Sequence, residues 1–268
     1  MTATTASVKD ALLRGDPGAA GVRVIDTHAH LGPWFNFRVP HGDADGLLRT
    51  MDRAGIRQAW IAAHVAIGPD CRLGNALVAE VVRAHPDRFQ GYITVSPHDQ
   101  AVLRDELSRY YDRGWRLIKI HTGTHRTPAD DARYRAMWAF AQEHGLHVLS
   151  HAFPSPAALS ALAGEHPNAT MALGHASSDP RALPAYSVVC AERPNVYLDL
   201  CYSVQWRGLL EQMAAGAGAE RILYSSDIPF VDPRPQLGRV AFTRLPDDQL
   251  RAILGGNAER LWEKLPRR

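Results

Sequence analysis

Cysteine is scarce in this chain, and neither a long apolar run nor a large excess of one charge is present. The 268 residues include three cysteines, Cys71, Cys190 and Cys201, which are odd in number and widely spaced. This pattern argues against a disulfide framework and favours a reducing, cytoplasmic location. A formal net charge of +2 gives no reason to expect a nucleic-acid partner. Residues 1–21 contain no stretch apolar enough for a signal peptide or a membrane span, so no membrane partner is expected.

Two common enzyme motifs are also missing. No Gly-x-Gly-x-x-Gly follows the first predicted strand, which weakens a dinucleotide-binding interpretation. No Gly-x-Ser-x-Gly is present, so a Ser-His-Asp hydrolase of that type has no support. The hydrophobic share of 46% and the charged share of 22% are those of an ordinary globular protein, which at this length buries a core without crosslinks.

The chain does have an eightfold alternation of apolar runs and helical segments. The apolar runs predict buried strands at 22–28, 58–63, 89–95, 116–121, 146–151, 169–174, 195–201 and 221–226. Segments such as 74–85 and 130–144 have helical periodicity, and parallel strands need such crossovers. We therefore expect an α/β fold, a single-domain (β/α)8 barrel over 22–268, with an open doubly wound sheet as the alternative. An N-terminal arm, 1–21, precedes it, and the segment 246–264 is predicted to form a helix packed outside the barrel.

A pair of histidines ends the first predicted strand. His28 and His30 are two residues apart, so they face the same side, with Cα atoms roughly 6.6 Å apart by strand rise. One ion can bridge such a pair, although two solvated or hydrogen-bonded histidines would give the same pattern. Asp26 lies two residues earlier on that face, where it could accept a hydrogen bond from a histidine and fix its tautomer.

Further polar residues end other predicted strands. His151 and Asp227 follow the fifth and eighth apolar runs, and Lys119, His121 and His175 end the fourth and sixth. Active sites of α/β barrels form at the carboxyl ends of the strands, so these side chains are expected to converge. Taken singly, His151 could be a core histidine bonded to backbone, and Asp227 could cap a turn.

The motifs at these strand ends resemble those of the amidohydrolase superfamily, and more closely its "amidohydrolase 2" branch of small barrel hydrolases and decarboxylases. The resemblance extends over about residues 22–264. It rests on Ile25-Asp26-Thr27-His28-Ala29-His30, Lys119-Ile120-His121, His151, Gly174-His175 and Ser226-Asp227-Ile228-Pro229. It implies a TIM barrel that holds one or two divalent ions, often zinc.

The resemblance also implies roles for individual residues. The first ion would be bound by His28, His30, His151 and Asp227, and three imidazoles with a carboxylate also suit Zn²⁺ on chemical grounds. His175 would contact water or substrate in a one-metal enzyme and bind the second ion in a two-metal enzyme. Lys119 is carboxylated in some two-metal relatives. An uncarboxylated Lys119 and a single ion are preferred here, because this branch usually works with one metal.

The loop after the first strand is a candidate for substrate binding. It carries Trp34-Phe35-Asn36-Phe37-Arg38, whose aromatic rings and arginine could hold a flat substrate that bears a carboxylate. His121 and Tyr202 are further candidates for substrate contact. The alternatives are that the aromatic residues cover the barrel mouth and that Arg38 and His121 are solvated.

These inferences predict a metal-dependent hydrolase that cleaves an amide, lactone or carboxylic ester bond of a small, possibly carboxylate-bearing molecule by a metal-activated water. Asp227 would accept the proton of the water, and His175 would orient the water or stabilise negative charge. One alternative is a non-oxidative decarboxylase of a small aromatic or semialdehyde acid. The short segment between Leu31 and Asp43 argues against it. Another is a non-catalytic or metal-free barrel that binds a small molecule. The sequence leaves homo-oligomer formation open.

Overall fold

The computed structural model describes residues 7–176, 179–201 and 207–267, and eight parallel strands in them form one sheet in chain order. The strands are β1 (Val24–Leu31), β2 (Ile56–Ala63), β3 (Phe89–Thr94), β4 (Leu117–Ile120), β5 (His147–Ser150), β6 (Thr170–Leu173), β7 (Val196–Asp199) and β8 (Ile222–Leu223). Every predicted strand is present, within a few residues of its expected bounds.

Backbone hydrogen bonds join the chain around β8 to β1 and close the sheet into a barrel. Thr27 N donates to Tyr224 O at 3.0 Å, and Asp227 N donates to His28 O at 2.9 Å. The predicted (β/α)8 barrel is confirmed, and the open sheet is excluded. Strand β8 is shorter than predicted, because Tyr224 N bonds instead to Ile253 O at 3.0 Å.

Helices connect the strands and flank the barrel. They are α1 (Val8–Leu13), α2 (Ala44–Ala54), α3 (His64–Ile67), α4 (Cys71–Ala84), α5 (Gln100–Asp112), α6 (Thr122–His125), α7 (Arg135–His144), α8 (Pro156–Glu165), α9 (Leu183–Glu192), α10 (Leu209–Ala217), α11 (Pro233–Ala241), α12 (Asp247–Arg251) and α13 (Asn257–Lys264), with 3-10 turns at Pro17–Ala20, Ala132–Tyr134 and Ala219–Arg221 and a π turn at Ala252–Gly256. Local sequence sets their ends. Ser155 caps α8 through Ala158 N and is followed by a proline, and Gly145 ends α7 with φ of 61°.

Apolar side chains fill the amino-terminal half of the barrel interior, and we call them the lower layer. The lower layer has one member or more from every strand: Ile25, Trp60, Tyr92, Leu117, Leu149, Ala172, Tyr197 and Leu223. Ala258, Leu261 and Leu265 pack in the same cluster. The C-terminal helix therefore lies outside the strands, as predicted, but it closes the amino-terminal end of the barrel rather than adding to the ring of helices.

The described part of the predicted N-terminal arm is folded against the barrel. Helix α1 packs on α11, with Val8 and Ala11 fully buried. Val8 N donates to Asp247 Oδ2 at 2.9 Å, which fixes the start of α1 to the start of α12. No helix in the described ranges is long and apolar enough to cross a membrane.

Candidate metal centre

Polar side chains form a second layer above the apolar one, towards the carboxyl ends of the strands. Lys119, His151 and Asp199 each follow a lower-layer residue by two positions, so they face the same interior. On β1 the step from Ile25 to His28 is three residues, because the pairing with β2 has an irregularity between Asp26 and Ala29. We call this set, together with His30, His175 and Asp227, the upper layer.

His28 lies at the centre of the upper layer and is almost fully buried. Its Nδ1 is 2.8 Å from Asp199 Oδ2, and its Nε2 is 2.7 Å from Lys119 Nζ and 3.9 Å from Asp227 Oδ1. An ionised carboxylate only accepts hydrogen bonds, so Asp199 keeps the ring proton on Nδ1. The lone pair of Nε2 is thereby directed into the barrel, as a metal ligand requires.

Asp199, not Asp26, is the carboxylate that fixes a histidine tautomer, so that part of the sequence prediction was wrong. Asp26 accepts hydrogen bonds from the backbone N of His28 and from the backbone N and hydroxyl of Ser226. It joins β1 to the chain after β8, and burial raises its pKa to about 7. The irregularity after Asp26 turns it out of register with His28. Asp199 lies inside the predicted seventh run, two residues after the inward-facing Tyr197, and this register could have identified it.

His30 and Asp227 form a close pair of potential ligand atoms. His30 Nδ1 is 3.3 Å from Ala62 O, a group that only accepts, so Nδ1 carries the proton. In the neutral ring, Nε2 then turns a lone pair towards Asp227 Oδ1 at 3.1 Å. Burial favours the neutral imidazole by lowering the pKa of His30. A proton on Nε2 or a bound metal ion between the two atoms accounts for this distance, and the proton would make the contact a hydrogen bond.

Several donor atoms of the upper layer, and the sulfur of the neighbouring Cys201, lie close to one another. His28, His175, Cys201 and Asp227 each have one ligand atom within 4.8 Å of those of the other three. With bonds of about 2.0–2.2 Å, neighbouring ligands of a zinc ion lie roughly 3.0–3.5 Å apart. The His30–Asp227 distance of 3.1 Å is close to the separation of two such ligands, and the 3.9 Å between His28 Nε2 and Asp227 Oδ1 would have to shorten on binding. The donor set therefore fits a divalent metal.

His175 and Asp227 are held in unusual backbone conformations. Their φ angles are 53° and 68°, a region that costs a residue with a Cβ atom roughly 1–2 kcal/mol. Such costs are commonly found at functional sites. Gly174 is required before His175, because a Cβ at that position would lie 2.7 Å from Ser150 O. The glycine lets the end of β6 approach the end of β5, and it brings His175 beside His151.

His151 and His121 extend the upper layer along one side of the mouth. The His151 ring lies 4.6 Å from that of His175 and stacks on that of His121 at 3.8 Å between centroids. Burial lowers the pKa of His151 to about 3, so the ring is a neutral donor. His121 Nδ1 accepts from Thr124 N at the start of α6, which leaves its Nε2–H for other partners. His151 is not part of the four-residue group, and its role as a metal ligand stays a prediction.

Lys119 is one of the largest fully buried side chains of the described residues, and it carries an amine into the barrel interior. It is fully buried, and its Nζ has the contact with His28 Nε2 described above. Burial lowers its pKa to about 8, although the charges of Asp199 and Asp227 oppose this change. A fraction of the neutral amine exists near pH 8, and a carbamate needs this form. Carboxylation of Lys119 stays a prediction.

Aromatic rings cover the opposite side of the mouth. Phe230 stacks on His64 at 4.3 Å, and His64 stacks on His30 at 4.7 Å. Trp34 lies 5.5 Å from the Phe230 ring and 6.3 Å from that of His121. Of the loop after β1, Trp34 packs beside these rings, whereas Phe35 and Phe37 are more than half exposed, so both alternatives for the loop stay open.

Arg38 is exposed in that loop, and it makes no hydrogen bond or ion pair with another residue of the described ranges. The structure thus leaves its predicted contact with substrate open. Tyr202 lies outside the described residues. A cavity of about 440 Å³ opens beside His151 and His175 and extends past Phe153 and Tyr186. It has the size of a small-molecule site, and it adjoins the candidate ligands directly.

A (β/α)8 barrel with a cluster of side chains that could hold a metal ion at the carboxyl ends of its strands is the architecture of a class of barrel enzymes. Residues 25–264 match the family model described as amidohydrolase, of the type called amidohydrolase 2. The chain belongs to this family. The search of curated proteins found no significant match.

Solved structures with the same architecture include decarboxylases. An uncharacterised TIM-barrel protein from Bordetella bronchiseptica has a TM-score of 0.74 at 21% identity, covering 91% of this chain and 99% of that one. The 5-carboxyvanillate decarboxylase from Sphingomonas paucimobilis has 0.72 at 16%, covering 90% and 99%. The dihydroxybenzoic acid decarboxylase from Polaromonas, with bound manganese and 2-nitroresorcinol, has 0.66 at 17%, covering 90% and 97%. At these identities the similarity establishes the fold.

Proposed function

We propose that this protein is a metal-dependent hydrolase that cleaves an amide, lactone or carboxylic ester bond of a small substrate. The observation that carries the proposal is the contact of His30 Nε2 with Asp227 Oδ1 at 3.1 Å, next to the inward-facing Nε2 of His28. These atoms come from opposite ends of the chain, and a shared cation would account for their convergence.

The residues proposed to hold the metal are His28, His30, His151 and Asp227. When bound, a divalent cation supplies Lewis acidity, which lowers the pKa of water and polarises a carbonyl oxygen. Imidazole and carboxylate ligands suit zinc, which we retain as the proposed ion, and they also suit manganese, which the Polaromonas enzyme contains. A single ion is proposed, with a second one only if Lys119 is carboxylated.

Asp227 is proposed to move the proton in this reaction. Burial by itself would raise its pKa, but the hydrogen bond to His30 and the neighbouring imidazoles hold the pKa below its ordinary value. The carboxylate is thus ionised and able to accept a proton from water, then deliver it to the leaving group. His175, which lies 5.1 Å from His28 between ring centroids, orients the water or stabilises the developing oxyanion.

Two other buried side chains support this arrangement. Lys119 places a positive charge beside His28 in the uncarboxylated state, where it can stabilise negative charge on the substrate. Asp199 holds His28 in the tautomer that directs Nε2 inward. Arg38 and His121 are the proposed substrate contacts, since Arg38 can bind a carboxylate from the loop and His121 offers its Nε2–H.

A non-oxidative decarboxylase is the second candidate, and the similar structures favour it. Two of the three barrels described above are decarboxylases of aromatic acids. The matched region covers 99% and 97% of those two chains, so the barrel that carries this chemistry in them is shared over nearly their whole length. The aromatic rings of Trp34 and Phe230 over the metal pair would suit a flat substrate.

Two product measurements separate these candidates: incorporation of oxygen from water into the product, and release of carbon dioxide. Protein purified with added zinc or manganese is incubated with panels of lactones, esters, amides and aromatic acids in water enriched in oxygen-18. Hydrolysis predicts label in the carboxylate product, and decarboxylation predicts release of carbon dioxide with no label. Activity that survives exhaustive chelation would contradict both candidates and favour a metal-free barrel.

A further inference from the structure

The end of β7 presents a thiol to the metal centre. Cys201 is fully buried, and its Sγ is one of the four ligand atoms that lie within 4.8 Å of one another. The other three belong to His28, His175 and Asp227. These residues come from β1 and from the ends of β6, β7 and β8, which are four successive strands of the closed barrel. The thiol therefore lies with the other three ligand atoms on one half of the barrel mouth.

A single carboxylate positions both Cys201 and His28. Asp199 Oδ1 accepts from Cys201 N at 2.6 Å, and Asp199 Oδ2 contacts His28 Nδ1 at 2.8 Å. Ser225 Oγ donates to the same Oδ1 at 2.6 Å and fixes the carboxylate from the β8 side. The thiol and the imidazole are thus held in a constant relation to each other, as two ligands of one ion would be.

The other two cysteines behave differently. Cys190 is just as buried, but its thiol donates to Val196 O at 3.2 Å between α9 and β7, outside the barrel interior. Cys71 lies at the start of α4. For Cys201, no hydrogen bond of the sulfur to another described residue is present. A buried thiol that has no hydrogen bond within the described ranges and lies beside two imidazoles and a carboxylate has the environment of a metal ligand.

We propose that Cys201 is a ligand of the metal, so that the centre contains one sulfur donor in addition to nitrogen and oxygen donors. This inference rests on the proposed metal-dependent function and names a ligand beyond the set proposed there. Cys201 gives its thiol proton to solvent as the sulfur–metal bond forms. Because thiolates prefer softer ions, the centre is expected to select zinc over manganese.

X-ray absorption at the zinc edge tests this on the unaltered protein loaded with one equivalent of zinc. The proposal predicts a sulfur neighbour at about 2.3 Å, besides nitrogen and oxygen neighbours at about 2.0–2.2 Å. A first shell with nitrogen and oxygen alone would overturn the inference while leaving the metal enzyme intact. Failure to bind any zinc would overturn the proposed function as well.

Cobalt and affinity measurements on variants provide the second readout. Wild-type protein and Cys190→Ser loaded with cobalt(II) are expected to have an intense near-ultraviolet sulfur-to-cobalt absorption band, and Cys201→Ser is expected to lose it. Loss of a residue that only hydrogen-bonds to a metal ligand typically lowers metal affinity by about 10- to 100-fold. Loss of a ligand itself should do at least as much, so Cys201→Ser should weaken zinc binding by at least about tenfold. Manganese binding should change by less than about twofold. Equal zinc affinity and an equal band in Cys201→Ser would contradict the proposal.

Discussion

The two halves of the barrel interior differ sharply although the same strands build both. The lower layer is apolar and closed by Leu261 and its neighbours on α13, whereas the upper layer two residues further along the strands collects imidazoles, carboxylates and Lys119. Burying these polar groups is costly unless each is paired or bound to a metal. The lower layer therefore supplies stability, and the upper layer is organised for a ligand.

Replacement of a proton-transferring ligand in the upper layer should have the largest effect. We expect Asp227→Asn to lower kcat by about 100- to 10,000-fold, because asparagine cannot accept the proton from water. The thermal unfolding midpoint should stay close to that of wild type. Asp232→Asn is the matched control, since Asp232 is on the same segment but caps α11. Turnover within tenfold of wild type in Asp227→Asn would refute the role of Asp227.

Truncation in the lower layer should have the opposite signature. Leu261→Ala is expected to lower the free energy of unfolding by about 2–5 kcal/mol, because it leaves a cavity in the closed end of the barrel. Metal affinity and kcat per folded molecule should not change. Leu73→Ala, at a half-exposed position on α4, is the control for side-chain loss and should be nearly neutral. A large loss of metal affinity in Leu261→Ala would show that the two layers are coupled.

Asp199 acts on the proposed metal site indirectly, because it hydrogen-bonds to the ring of His28. Asp199→Asn should weaken metal binding by about 10- to 100-fold, since the acceptor that fixes the His28 tautomer is lost. Isothermal titration with zinc or manganese measures this. Asp26→Asn should instead reduce stability, because Asp26 bonds Ser226 and no histidine ring. An equal loss of metal affinity in Asp199→Asn and Asp26→Asn would contradict the separate roles assigned to the two carboxylates.

His147 provides a titratable probe of the lower half of the barrel. Its ring is fully buried near Trp60, and burial lowers its pKa to about 3. The unfolded chain therefore binds the proton that the folded chain excludes, so stability falls as the pH drops below about 6.5. We expect His147→Gln to reduce this loss by about 1 kcal/mol between pH 7 and pH 5.5. Denaturant titrations of wild type and His147→Gln at several pH values measure this. An equal change of unfolding free energy with pH in the two proteins would contradict a neutral, buried His147.

Much of the architecture was predictable from the sequence because the apolar runs recur with helical segments between them. The polar residues at their ends were predicted together for the same reason, since parallel strands bring their carboxyl ends to one side. Alternation alone does not reveal the irregularity after Asp26, which is why that residue was misassigned. Amphipathic spacing also does not indicate which surface a helix covers, so closure of the lower end by α13 was not foreseen. Asp199 and Cys201 had the required position but were read as parts of the seventh strand.

The most direct test of a shared cation is anomalous X-ray scattering from crystals grown with zinc or manganese, collected on both sides of the metal absorption edge. The account predicts an anomalous peak within bonding distance of His28 Nε2, His30 Nε2 and an Asp227 carboxylate oxygen. Fully ordered side chains with no peak among them, or a peak elsewhere on the protein only, would contradict it.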